Sequence, residues 1–163
     1  MDAGLEQWTD FNVAMLGATA ALAGLVIVAA SVNIREIITS GTLTPRLAAG
    51  ISALVLALIV SGMALVPEID PVWFGGLIIF ATAVAGAFQL NATRVIARDP
   101  ATEDRARVAK SVAGFLPIAA YLAAGVLLVA GQPGGLIMAA AGALLAIVSA
   151  ILISWIVLVE VLR

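Results

Sequence analysis

Residues Ser111–Val159 read SVAGFLPIAAYLAAGVLLVAGQPGGLIMAAAGALLAIVSAILISWIVLV, without a single Asp, Glu, Lys or Arg. A helix rises ~1.5 Å per residue, so the ~30 Å hydrocarbon core of a bilayer takes ~20 residues to cross. The stretch is about two crossings long, and whether it folds back decides the fold. Gly131, Gln132, Pro133, Gly134 and Gly135 supply the reversal, because proline cannot continue a helix and glycine accepts tight-turn backbone angles.

Outward from this stretch, Phe11–Ile34, Leu47–Pro67 and Pro71–Thr93 are also uncharged, and each is long enough for one crossing. The expectation is an all-α, polytopic integral membrane helical bundle. It forms one transmembrane domain over residues 1–163, with five helices at roughly 11–33, 47–66, 72–93, 111–130 and 136–159. With 63% apolar residues and no connection longer than the one around 94–110, no soluble domain is expected. The first span does not read as a signal peptide, since an acidic segment precedes it and its apolar run is too long.

The cations orient the bundle, because basic residues beside a span stay in the cytoplasm. Arg35 and Arg46 flank the first connection, Arg94, Arg98, Arg105, Arg107 and Lys110 belong to the third, and Arg163 ends the chain. Five spans put all of them on one side, whereas four would strand Arg163 on the other. Asp2, Glu6, Asp10, Glu68 and Asp70 then lie outside, as does the glycine turn. The N-terminus is expected outside and the C-terminus in the cytoplasm. Trp73 and Trp155, near opposite ends of their spans, suit interfacial anchors. The net charge of −2 carries no information on partners, because the signs are segregated by side.

Prolines mark boundaries. Thr44-Pro45, Asp70-Pro71 and Asp99-Pro100 each place a capping side chain before a proline at the first helical position. The last would start a cytoplasmic helix through the i,i+4 pair Glu103 and Arg107. Pro117 alone falls inside a span and should kink it. Tyr121, in mid-span, calls for a hydroxyl partner.

Small residues form three faces. Ala14, Gly17, Ala21, Gly24, Val28 and Ser31 follow 3-4 spacing on the first helix, with Asp10 at one end and Arg35 at the other. Ala49, Ala53, Ala57 and Ser61 recur every fourth residue on the second, as do Gly142, Ala146, Ala150 and Ser154 on the last. Lipid tails are as apolar as leucine, so membrane helices associate by close packing, and small-xxx-small faces permit it. Such a face holds either the monomer together or subunits to one another. Asn33, Gln89, Asn91, Arg94 and Glu160 all fall near the cytoplasmic surface. They read either as an interfacial hydrogen-bond network tying helix ends together or as a polar inner vestibule.

Several classes of chemistry are disfavoured. There is no His or Cys to act as base, nucleophile or soft-metal ligand, no acid within a span and no phosphate-cradling Gly-Lys-Ser/Thr loop. No enzyme activity, cofactor or metal is expected. A cation-coupled transporter would place an ionisable group near the midplane, and nucleic-acid binding would need a basic, aromatic-rich surface.

Phe11-Asn12-Val13 with GATAALAGLVIVAASVNI (Gly17–Ile34), together with the ending SWIVLVEVLR (Ser154–Arg163), resembles a group of small bacterial multi-pass proteins common in actinobacteria and labelled "modulator of FtsH protease". The resemblance implies a regulatory or quality-control role in the inner membrane and assigns no site residues. Two functions follow as expectations. One is a parallel homo-oligomeric pore or channel in the lipid bilayer, lined by Asp10, Ala14, Gly17, Ala21, Gly24, Val28, Ser31 and Arg35. The other is a non-conducting accessory protein whose partner is another membrane protein, such as a quality-control protease.

Overall fold

The computed structural model describes residues 7–98 and 104–161, with the side chains of 104–112, 158, 160 and 161 not among those described. The described residues form helices α1 (Thr9–Val32), α2 (Ile34–Thr39), α3 (Leu43–Met63), α4 (Pro71–Arg98), α5 (Asp104–Val129) and α6 (Gly134–Val161). Four of these, α1, α3, α4 and α6, are long and apolar enough to cross a membrane. Within α5 the apolar part is the shorter segment Ala113–Val129. The reading of 111–130 and 136–159 as two helices matches α5 and α6.

Local chemistry explains the breaks. α5 ends in a Schellman motif at the glycine turn. Gly131 takes φ +70°, its N–H donates to the Leu128 carbonyl at 3.0 Å, and the Gln132 N–H reaches back to Leu127 at 2.8 Å. At the start of α4 the Asp70 carboxylate accepts from the Val72 and Trp73 N–H groups at 2.9 and 3.0 Å, with Pro71 at the first helical position. The expectation for Thr44 is corrected. α3 begins two residues earlier, at Leu43, whose N–H is satisfied by Ser40 Oγ at 3.1 Å. The Thr44 hydroxyl instead donates to the Ile37 carbonyl at 3.0 Å, tying α2 to α3, and Pro45 is tolerated because the whole first turn has free amides. Asp99, Pro100, Glu103 and Arg163 lie outside the described residues. α5 continues as helix through Pro117.

The bundle is inverted relative to a water-soluble one. Its interior is rich in small side chains such as Ala53, Ala57, Ala85, Ala124, Ala143 and Ala146, while Leu25, Phe80, Val126, Val148 and Ile151 point outward. An outer surface of large apolar side chains over a close-packed alanine interior is what a lipid solvent selects. The protein is thus a membrane-embedded helical bundle.

α3 is the central helix, packing against α1, α4 and α6, while α4, α5 and α6 form a tight sequential layer. The α4–α5 crossing is a backbone contact. A Cβ on Gly125 would lie 2.9 Å from the Gly75 carbonyl oxygen and 2.7 Å from Ile79 Cγ1, and one on Gly75 would lie 2.8 Å from the Gly125 oxygen. Between α5 and α6, Gly142 receives the Tyr121 ring, which would sit 3.0 Å from a Cβ there. The expected partner for the Tyr121 hydroxyl is not found, and this oxygen has no hydrogen bond among the described residues. The α3 and α6 small-residue faces are spent on these intramolecular contacts, with Ala57 and Ala146 fully buried and Ala53 and Ala150 nearly so.

α1 is peripheral. Only 17% of its apolar segment is buried in the bundle, against 50% for α3, so most of its surface is available to lipid or another chain.

Candidate functional site

α1 divides into a face turned to the bundle and a face turned away from it. Asn12, Thr19 and Ala23 are buried, and Met15, Leu16, Leu22 and Val26 are half-buried around them. Leu16 seats 3.5 Å from where a Cβ on Gly62 would lie, and Leu22 and Val26 pack with Leu54 and Ala150. The polar groups of this face are satisfied locally. Asn12 Nδ2 donates to the Trp8 carbonyl at 2.9 Å and the Thr19 hydroxyl to Met15 at 2.7 Å, so neither breaks the apolar packing.

The other face of α1 holds seven of the eight candidate pore-lining residues, and the eighth, Arg35, lies past its end in α2. Asp10, Ala14, Gly17, Ala21, Gly24, Val28, Ser31 and Arg35 are all exposed. A Cβ built on Gly17 or Gly24 would meet nothing within 4 Å. Ser31 returns its proton to the Val28 carbonyl at 2.7 Å, so it offers lone pairs rather than a donor to whatever covers this face. Asp10 lies in the first turn of α1, and Arg35 follows the break at Asn33, in α2. The face therefore carries opposite charges at its two ends. Of the three small-residue faces, this one alone is turned away from the bundle.

The inner polar residues are divided by the fold. Asn33, half-buried at the α1–α2 junction, donates from Nδ2 to the Ala29 carbonyl at 3.0 Å and borders a small crevice with Ile37 and Val157. Gln89 is buried on α4, its carboxamide lying directly against Gly114 of α5. Asn91 and Arg94 are exposed on other faces of α4. Glu160 lies outside the residues whose side chains are described. Asn33 and Gln89 thus do not share a cavity.

Gln89 has a different neighbour. Arg46, in the first turns of α3, is only 6% exposed and lines the same cavity of about 200 Å³. Sequence reasoning used Arg46 only as a marker of membrane side. Its spacing held the missing signal, because 46, 49, 53 and 57 continue one helical face, and a charge on a packing face is rarely a bystander. Two further hydroxyls, Thr82 Oγ1 and Ser149 Oγ, are buried without hydrogen-bond partners among the described residues.

Comparison with known proteins finds no matching family model, no matching curated protein and no matching solved structure.

Proposed function

We propose that the protein is a five-span, parallel homo-oligomer of the bacterial inner membrane, with its N-terminus outside, in which the open face of α1 surrounds an ion path. The observation that carries this reading is that all eight residues from Asp10 to Arg35 are exposed on the monomer while the other two small-residue faces are consumed inside it. Small residues permit close helix approach, and a lipid environment offers them no other gain, because a bare Gly-Ala stripe makes fewer contacts with acyl chains than a leucine one.

Charge segregation supports a parallel arrangement. The cations Arg35, Arg46, Arg94 and Arg98 all stand at one end of the bundle, with Glu36 among them, while Asp10, Glu68 and Asp70 stand at the other, so an antiparallel pair would translocate the basic end of one copy. Closed rotational symmetry about the membrane normal then sets Asp10 in a ring at the outer mouth and Arg35 in a ring at the inner one. Charged rings select ions, and the apolar Ala-Gly segment between them can gate by dewetting.

Reconstituted liposomes test the reading. Wild-type protein is expected to pass ions, with a selectivity that changes in Asp10→Asn and a flux that falls at least tenfold in Gly24→Leu. Flux no higher than in empty liposomes, from folded and oligomeric protein over a range of voltage and pH, would favour a non-conducting accessory protein that uses the same face to dock on another membrane protein. The resemblance of Phe11–Ile34 to the protease-modulator group runs through this same helix and is what favours that second reading.

A further inference from the structure

The cavity shared by Arg46 and Gln89 has a composition that the α1 face does not explain. Its walls include Ala92, Ile96, Ala113, Ile153 and Ile156, so among the described residues one guanidinium and one carboxamide stand in an otherwise apolar cavity between α3, α4, α5 and α6. Arg46 has an interaction within the protein and also lines the cavity, and its place in the first turns of α3 puts it at the basic end of the bundle. The exposed Arg35, Arg94 and Arg98 share that end with Glu36.

We propose that this cavity is a binding site for an anionic phospholipid, with Arg46 on the phosphate, Gln89 as a second donor and the isoleucines against the first part of an acyl chain. A guanidinium has five N–H donors in a fork that matches a phosphate, enough to hold a headgroup while keeping contacts within the protein. Basic pockets between transmembrane helices at the cytoplasmic surface are where anionic headgroups are held. The apolar walls select an amphiphile over a soluble anion, which would leave Ile96, Ile153 and Ile156 against water. The volume of about 200 Å³ admits the headgroup-proximal part of a lipid only. For scale, a dry protein cavity of ~150 Å³ accommodates benzene. The rest of the chain runs out past Leu152, which lines the cavity and is 46% exposed to the bilayer. The site is independent of whether α1 encloses a pore.

The test uses the full chain in neutral detergent, titrated with phosphatidylglycerol or with phosphatidylcholine of identical acyl chains and read by native mass spectrometry. One phosphatidylglycerol per chain is expected, bound at least tenfold more tightly than phosphatidylcholine. Arg46→Gln should bring the two lipids within twofold of one another, and Arg46→Lys should retain part of the preference. Ala92→Leu fills the cavity while leaving Arg46 in place and should also abolish tight binding. Helical circular dichroism and gel filtration establish which variants fold, and Ala92→Leu decides the matter if Arg46→Gln does not. Equal binding of both lipids by the wild type would overturn the proposal. So would an undiminished preference in either folded variant, or displacement of the lipid by inorganic phosphate at equal concentration.

Discussion

Gly125→Leu is expected to abolish the folded bundle. The α4–α5 crossing brings the two backbones together at Gly75 and Gly125, where even a single added carbon on Gly125 would lie 2.7 Å from Ile79 Cγ1 and 2.9 Å from the Gly75 carbonyl. Leucine adds three further carbons with no space to enter, and the rigid neighbour is backbone, so the helices must separate. Separation uncovers Phe74 and Ile78, which are buried on the same side of α4. The loss should be about 3 kcal/mol or more, at the upper end of overpacking effects. Titration with a denaturing detergent, followed by circular dichroism, reads it as a large leftward shift of the unfolding midpoint. Gly125→Ala should fall between, because Ile79 can give way and the Gly75 carbonyl cannot. A leucine variant with wild-type stability would mean that α4 and α5 do not cross at these glycines.

Gly24→Leu is expected to do the reverse, leaving the monomer intact and dissociating the assembly. Nothing lies within 4 Å of a Cβ at position 24, so the monomer accommodates leucine without strain. Leucine also favours helix over glycine by about 0.8–1 kcal/mol, so α1 itself should become more stable. Between subunits the same side chain would hold two α1 helices apart. Gel filtration in mild detergent should show a shift from oligomer to monomer, with an unchanged or higher unfolding midpoint. Ala146→Leu provides the contrast, since Ala146 is fully buried between helices of one chain, and it should lower stability whatever the oligomeric state. An oligomer that survives Gly24→Leu unchanged would place α1 against lipid.

The division of labour between these faces was only half legible in the sequence. Spacing identified three small-residue faces, and the turn at Gly131–Gly135 separated α5 from α6 because glycine and proline act through the backbone wherever they stand. Direction was not legible. In water a helix shows which side is buried by its polarity, but in a bilayer lipid and core are equally apolar, and the contrast between the larger Leu16-Leu22 side of α1 and its Ala14-Gly17-Ala21 side marks two faces without saying which one the bundle covers. The inner polar residues show a related limit. Counting residues assigns Asn33 and Gln89 to the same end of their helices, but which helices stand side by side follows from packing contacts such as Gln89 on Gly114. Arg46 was visible as a charge near a membrane surface, and its burial emerges once α3 is known to be the central helix. Thr44 stood where a cap was expected and bonded instead to Ile37, because the short helix α2 brings a free carbonyl within its reach.

The central claim is that the open faces of α1 from different copies face one another closely around a common axis. The chain contains no cysteine, so single cysteines can be introduced without background. Oxidative cross-linking in native membranes of Gly17→Cys and Gly24→Cys is expected to yield covalent dimers, while Leu22→Cys, on the opposite side of α1 and packed with Leu54 and Ala150, yields none. Dimers from neither glycine position, with both proteins correctly inserted and reactive to a small thiol reagent, would contradict the account.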